Sequence, residues 1–495
     1  MNGAGPPRIA VVGAGISGLT AAYRLRTLLG PAAQIMLVEG SRRLGGALRT
    51  VELAGLPLDV GAEAFLMRRP EAVRLIEELG LDEQLVHPTA VVPTVRAGGR
   101  TVALPTRTLL GLPGTAADVA GLLSAKGTQR VAAEPTVPLC WEPGQDAAVG
   151  MLLRERAGDE LVDRLVDPLL GGVYAGRADA LGLRATLPAV ATALDRGAGS
   201  LLAAAAGTLP PLHGVSGSHA RRVGFSCTDP VFGTLLGGLG GLVDALAAAA
   251  AVQPRLGLLA RGLARTSVGW RLELGGRGLE AGRPERLDVD AVILAVPAPA
   301  LRRLLADPLP LASAAAGRVE VASSAVVGLA LPLAAAQALP EASGVLVAAS
   351  ERLSVKAFTF SGRKWAHASS TEALVIRASL GRHGEARTLQ CDDAQLVDAV
   401  RADLAALTGI TAPPVATVVA RWGGGLPQYA PGHLDAVAAL EREVAASAGL
   451  AVAGATLHGV GVPACIATAD TAARRIADYL ASRQATAASG GTMGS

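Results

Sequence analysis

The sequence predicts an α/β fold, and three observations carry that prediction. Residues 8 to 12 (RIAVV) form a short apolar run that breaks into Gly13, Gly15 and Gly18, continues as LTAAYRLRTLL with helical spacing, and leads to a second run, QIMLVE, at 34 to 39. This is a strand, turn, helix, strand unit. Apolar runs of the same kind return far downstream, AVILAVP ending at Pro297 and AVAG ending at Gly454, each meeting a proline or glycine turn. Strands and helices also alternate from 320 to 420, which completes the α/β pattern.

Taken in order, residues 70 to 85 read as a helix opened by Pro70 and Glu71 and closed near Gly80, and 105 to 205 read as mainly helical with breaks at Gly and Pro. Residues 207 to 229 are a polar mixture of Pro210, Pro211, Gly214, His219 and Cys227, the composition of a flexible loop. Residues 255 to 296 look like a β-meander that ends in the apolar run AVILAVP. Val321 to Pro340 is uncharged over about the length of a membrane span, but Ser323, Ser324, Gly328 and Pro332 interrupt it, so a buried strand followed by an Ala-rich helix is expected instead. TADTAARRIADYL is a closing helix, and SRQATAASGGTMGS is a small-residue tail expected to be disordered, at least over 486 to 495.

Length and composition bound the function. At about 150 residues per domain, 495 residues suggest two or three domains. Half of them are hydrophobic and 18% are charged, which excludes a disordered chain and leaves ample material for a core. The net charge is only +3 and no basic run occurs, so nucleic acid is a poor partner. Cys140, Cys227, Cys391 and Cys465 lie far apart with no CxxC pair, which fits a reducing compartment and gives neither a disulfide framework nor a metal site. The first residues lack the basic-then-apolar plan of a signal peptide. A soluble, cytoplasmic protein is the expectation, with peripheral contact at the inner face of the cell membrane left open.

The glycine turn carries the chemistry. Gly13-Ala14-Gly15-Ile16-Ser17-Gly18 matches GxGxxG between a strand and a helix. Gly13 permits the tight turn, Gly15 lets backbone approach a pyrophosphate, and Gly18 lets helix and strand pack closely. The helix N-terminus adds free N–H groups and positive dipole. Glu39 ends the second strand 21 positions after Gly18, where a carboxylate can accept ribose hydroxyls. Arg43 with Gly45 and Gly46 can meet a phosphate, Asp59-Val60-Gly61-Ala62-Glu63 offers another close backbone approach, and a second cradle lies at Gly454 and Gly459-Val460-Gly461-Val462-Pro463 before a helix. Two glycine-rich sites at opposite ends of the chain suit a long FAD better than a nicotinamide. No second GxGxxG is present for NAD(P)H, so oxygen or another acceptor is expected to reoxidise the flavin.

On VVGAGISGLTAAYRL, VEGSRRLGG and the C-terminal cradle, the chain resembles the FAD enzymes of the amine oxidase, carotenoid desaturase and protoporphyrinogen oxidase superfamily. LDVGAEAFLMRRPEAVRLIEELGL, VDPLLGGVYAGRADALGLRATLP, FSGRKWAH, RWGGGLPQYAPGH and GVGVPACIATAD draw it closer to the protoporphyrinogen and coproporphyrinogen oxidases of haem biosynthesis, in their Gram-positive, actinobacterial branch. The resemblance covers nearly the whole chain; the insert at 207 to 229 is longer than the family leads one to expect. It implies a Rossmann-like FAD-binding domain with an α+β substrate domain and a mainly helical subdomain. Their segments would be 1–90, 230–300 and 421–485 for FAD, 105–205 for the helical part, and 301–420 with parts of 91–104 for substrate.

The reaction so implied is six-electron oxidation of coproporphyrinogen III to coproporphyrin III, with oxygen as acceptor, hydrogen peroxide as by-product and a ferrochelatase as the receiver of product. The flavin carries the chemistry, so no catalytic side chain beyond it is expected; His433 and His458 read as structural. For FAD the resemblance implies Gly13 to Gly18 on the pyrophosphate, Glu39 and Gly40 at the ribose, and Arg43 and Gly46 at the phosphates. Gly61, Ala62, Glu63 and Ala64 would lie along the ribityl chain and ring, Gly262 at the adenine, and Trp422, Gly454, Val460, Gly461 and Val462 around the isoalloxazine. Propionates need cations, and Arg68, Arg69, Lys364 and Arg177 are the candidates. Lys364 stands out because Lys126, Lys356 and Lys364 are the only lysines. A protoporphyrinogen IX oxidase, an amine oxidase or desaturase, and a flavin-free binding protein are the competing readings; 3% aromatic content makes an amine oxidase's aromatic cage hard to build.

Overall fold

The computed structural model describes residues 5–209, 230–276 and 284–490. Its first layer is a five-stranded parallel sheet in the order Pro254–Leu256, Gln34–Glu39, Arg8–Val12, Ala291–Leu294, Leu450–Val452. The N-terminal strand is central and pairs Ile9 to Val12 with Ala291 to Leu294 on one side and Ile35 to Val38 on the other. It is apolar on both faces because both are covered. Ile9 and Val11 pack toward helices Ile16–Leu29, Gly240–Ala250 and Val462–Gly490, while Ala10 and Val12 pack toward the other side. That other side is closed by an antiparallel meander, Leu258–Arg265, Trp270–Gly276 and Glu285–Val289, and by helices Ala298–Leu305, Pro310–Gly317 and His433–Ala445. The expected meander is therefore present, but AVILAVP belongs to the parallel sheet and not to the meander.

A second sheet of seven strands runs Ala416–Pro427, Val321–Pro332, Ala373–Leu380, Val355–Phe360, Gly344–Val347, Thr94–Ala97, Arg100–Ala103. Its second strand is the uncharged run at 321 to 332, a long and mostly buried strand between the edge strand and Ala373–Leu380. The stretch after it is a short 3-10 segment, Leu333–Ala338, where an Ala-rich helix was expected. Alternation sorts the strand Ala373–Leu380 cleanly. Leu374, Ile376, Ala378 and Leu380 join a core under helix Asp393–Thr408, whereas Ala373 and Val375 face the hairpin Thr50–Leu53 and Leu56–Asp59. Residues 421–427, grouped by sequence with the FAD segments, are the end of this sheet's edge strand. A third core gathers the helices between Ala125 and Ala206, including Asp167–Tyr174.

Two further expectations shift. The helix at 70 to 85 stops at Glu78, and a separate 3-10 turn follows at Asp82–Gln84, because Gly80 takes a left-handed φ of +68°. The final helix continues through the small-residue tail as far as Gly490. Of the expected loop at 207 to 229, residues 210–229 lie outside the described residues, as do 491–495.

Candidate flavin and substrate site

The GxGxxG turn is fixed by contacts that leave no room for side chains. A Cβ on Gly18 would lie 1.7 Å from the Gly13 carbonyl oxygen, and one on Gly13 would lie 2.3 Å from that of Ala295. Gly13 N–H donates to Val38 at 2.7 Å, which ties the turn to the next strand. Gly15 is different. The nearest protein atom to its Cβ position is the Gly46 Cα at 3.8 Å, so packing within the chain does not demand glycine there. A side chain would instead fill the cradle between two facing stretches of backbone, since Gly15 and Gly45 are bridged and Gly45 N–H donates to Ala14 at 2.8 Å. Backbone exposed on both sides of such a cradle is what a pyrophosphate needs.

Glu39 closes the end of this cradle. One carboxylate oxygen accepts from Ala14 N–H and the other from Ser41 N–H, each at 2.7 Å. Each oxygen keeps a second lone pair for a ribose hydroxyl. Arg43 donates to the carbonyls of Leu44 and Gly46 and lies over the Trp422 ring, 5.4 Å from its centroid, so it fastens the loop that carries Gly46. Leu256 pairs with Glu39, Gly257 N–H donates to Ser41, and a Cβ on Gly40 would meet Leu259. The residues against the Glu39 to Ser41 corner are therefore 256 to 259. Gly262, the sequence candidate for the adenine, sits further along the strand beside the Glu273 side chain, just after a bulge.

The second cradle meets the first. Ser17 hydroxyl donates to the Cys465 carbonyl at 3.1 Å, and Gly454 would present a Cβ 3.8 Å from Ser17 Oγ. The N-termini of helices Ile16–Leu29 and Val462–Gly490 thus converge, which brings their positive ends close together. Val460, Gly461 and Val462 form the approach to the second helix. Tyr429 and His433 hold that approach from behind. Tyr429 donates to Ala455, His433 Nε2 lies 2.9 Å from the Leu457 carbonyl, and the two rings stack at 3.9 Å. Burial keeps the His433 pKa below the usual histidine range. His458 pairs with Glu441 on the outside.

Residues Asp59 to Ala64 pass between the two sheets. Gly61 cannot carry a Cβ, which would lie 1.9 Å from the Ala47 carbonyl oxygen and 3.1 Å from Trp422. Trp422 Nε1 donates to Val60 at 2.8 Å, and Arg377 donates to the carbonyls of Asp59 at 3.0 Å and Gly61 at 2.8 Å. Ala62 N–H donates to Ala47, and Ala64 follows at the entry to the buried Phe65. The Asp59 carboxylate turns away to accept from Thr50 and from Leu239 N–H at the start of helix Gly240–Ala250; burial pushes it up to about 6. Glu63 accepts from Lys364 Nζ and Trp365 Nε1, both at 2.8 Å. Burial would raise its pKa, but Lys364 and Arg377 overcome that and hold it at about 2.

These pairings change the reading of the candidate cations. Lys364 is committed to Glu63, a residue itself assigned by sequence to the flavin. Arg69 bonds Glu71 in the first turn of the helix it precedes, and Arg68 beside it is exposed. Arg177 donates to Glu385 at 2.6 Å and lies 3.5 Å from Asp167. Three of the four thus carry a carboxylate of their own. Two residues missed by the sequence reading stand out instead. Arg377 is the one charge in a mostly apolar strand, ALVIRASL, and that interruption was a usable signal. Lys356 is as rare a residue as Lys364 and sits in VKAFTF, but its strand setting drew no notice.

The fit to FAD rests on this geometry: a two-sided backbone cradle, a carboxylate fixed at one end of it and two converging helix N-termini. Comparison with known proteins agrees. The family model described as flavin containing amine oxidoreductase matches residues 16–477. A coproporphyrinogen III oxidase of Mycobacterium leprae is 44% identical over 93% of this chain and 96% of its own, and one of Bacillus subtilis is 30% identical over 96% and 99%. A solved structure from an Exiguobacterium species superposes with a TM-score of 0.80 at 29% identity, over 96% of this chain and 99% of that one. The chain belongs to the flavin-containing amine oxidoreductase family and, within it, to the coproporphyrinogen III oxidases.

Proposed function

We propose that this chain is an oxygen-dependent FAD oxidase of haem biosynthesis that converts coproporphyrinogen III to coproporphyrin III. The observation that carries the reading is the convergence of two helix N-termini and the Gly15–Gly46 cradle beside the seven-stranded sheet, in a chain 44% identical over nearly its full length to a coproporphyrinogen III oxidase. Residues Gly13 to Gly18, Glu39, Gly40, Arg43 and Gly46 would hold the nucleotide and pyrophosphate. Gly61 to Ala64, Trp422, Gly454 and Val460 to Val462 would border the ring. When bound, FAD supplies the acceptor for hydride from the methylene bridges, and oxygen takes the electrons on as hydrogen peroxide. Three such two-electron steps remove six electrons and six protons, and three oxygen molecules become three of peroxide.

The chain's own part is to bind, orient and exclude water. Arg377 and Trp422 grip the carbonyls of Asp59, Val60 and Gly61, which fixes the loop that would border the ring. Glu63, held ionised by Lys364 and Trp365, ties the same loop to the segment after strand Val355–Phe360. Segments 1–90, 230–300 and most of 421–485 would serve FAD, 301–420 the substrate, and 105–205 would lid the substrate face. Product hand-off to a ferrochelatase and peripheral contact at the inner face of the membrane belong to this proposal. Among the described residues no helix is long and apolar enough to cross a membrane. The test is direct: flavin-loaded protein with coproporphyrinogen III in air should give coproporphyrin fluorescence and three peroxides per porphyrin. A flavin-loaded sample that oxidises no porphyrinogen would refute the reading.

A further inference from the structure

The sequence candidates for binding substrate carboxylates are mostly spoken for, and the structure points to another cation. Lys356 lies in strand Val355–Phe360 and is only 6% exposed. It is the extra residue of a bulge, where the pairing steps from Val355 opposite Leu380 to Ala357 opposite Ser379. Bulges re-aim a side chain out of the regular alternation. Among the described residues the Lys356 ammonium has no hydrogen-bond or ion-pair partner. Its charged neighbours are Arg377 and Arg382, both of the same sign. Arg377 already grips Asp59 and Gly61, and Arg382, 8% exposed, donates to the Val347 carbonyl. Helix Asp167–Tyr174 crosses strands Gly344–Val347 and Val355–Phe360, with Gly172 against Leu346. Leu346 pairs with Ala357 and Ala357 with Ser379, so by alternation this is the face from which Arg377 reaches the flavin-bordering loop.

We propose that Lys356 anchors a carboxylate side chain of the tetrapyrrole, setting the edge of the macrocycle against the seven-stranded sheet while its bridges face the Asp59–Glu63 loop. The assignment rests on the porphyrinogen reading and deepens it. A buried ammonium facing two guanidiniums needs an anion, and a propionate supplies one by a charge-assisted hydrogen bond. Burial and then the two arginines bring the Lys356 pKa down to about 7, so an arriving carboxylate also stabilises its charged form. Lys364, Arg69 and Arg177 would each have to give up a carboxylate first. Holding an uncompensated charge in the empty site costs stability that a substrate anion restores.

The test uses holoenzyme and two readouts, steady-state oxidation of coproporphyrinogen III and the Kd for coproporphyrin III followed by porphyrin fluorescence. Lys356→Met keeps the volume and removes the charge. We expect KM to rise tenfold or more with kcat within about threefold, Kd to rise in parallel, and Tm to equal or exceed that of the wild type. Lys356→Arg should recover most of the binding. Unchanged KM and Kd in flavin-loaded Lys356→Met would overturn the anchor, as would a fall in kcat at constant KM. Loss of flavin or fold in both Lys356→Met and Lys356→Gln would show that the ammonium holds the structure instead, and would overturn it too. Wild-type holoenzyme inactive on every porphyrinogen would refute the function itself, whatever the variants do.

Discussion

The two faces that meet at the site are built on opposite principles. The proposed nucleotide cradle is made of backbone: Gly13, Gly15, Gly18 and Gly46 bring main chain close, and the charges there, Glu39 and Arg43, are fastened to main-chain groups of the same loops. The sheet face is made of side chains that come from remote segments, with Arg377 reaching across to Asp59 and Gly61, and Lys356 left without an acid. A cradle for an invariant cofactor can be rigid and self-satisfied before the ligand arrives. A face for an anionic substrate keeps part of its charge in reserve. The first should therefore fail by sterics and the second by electrostatics.

The largest effect is expected inside the cradle. Gly18→Ala places a Cβ 1.7 Å from a carbonyl oxygen of the adjoining turn, which nothing nearby can relieve. A loss of the order of 4 kcal/mol or more is expected, seen as failure to recover folded flavoprotein; a normal Tm would contradict the packing account. Gly15→Asp comes next and is more selective. Its Cβ has room within the chain, so the apoprotein should fold with a Tm close to that of the wild type while the visible flavin absorbance disappears. Full flavin occupancy would remove the pyrophosphate from this cradle.

On the sheet side the effects are smaller and depend on charge. Lys364→Ala strips Glu63 of its main compensation, so flavin retention should fall several-fold while KM for the porphyrinogen stays within about twofold. A raised KM with full flavin would return Lys364 to the substrate. Glu63 also sets a pH signature. Its folded pKa of about 2 lies below the ordinary 4.5, so its contribution to stability is complete above pH 4.5 and is lost as pH falls from there toward 2. The Tm gap between wild type and Glu63→Gln should be widest near pH 6 and should close on acidification through that window. A gap independent of pH would mean that the pair is not ionic. Arg69→Ala should be nearly silent, within about 0.5 kcal/mol, because Arg69 and Glu71 form an exposed pair.

The same contrast explains what could be read from sequence. The cradle was legible because its logic is local: GxGxxG, Glu39 and the paired glycines follow one another within a single strand-helix-strand unit. The second cradle was legible as a glycine-rich helix start, although its junction with the first, Ser17 to Cys465, spans 448 positions. The sheet face was not. Lys364 meets Glu63 across 301 positions and Arg377 meets Gly61 across 316, and no spacing rule encodes such partners. Rarity drew attention to Lys364, the lysine that the fold neutralises, and passed over Lys356, a buried lysine whose side chain is unpaired among the described residues. Gly262 is placed less directly, since the segment that meets the Glu39 to Ser41 corner is 256 to 259 and the bulge between Ala260 and Gly262 shifts the strand's register by one residue. The helical tail to Gly490 was hidden by its small residues, which suit a helix continued from a packed one as well as they suit a coil.

The measurement that bears most directly on the account is kcat/KM for coproporphyrinogen III against protoporphyrinogen IX on the same flavin-loaded protein, in air, by porphyrin fluorescence. A substrate face that holds cationic charge in reserve favours four carboxylates over two, so the coproporphyrinogen should be preferred by tenfold or more, and Lys356→Met should narrow that ratio. A preference for protoporphyrinogen IX, or a ratio that Lys356→Met leaves untouched, would contradict it.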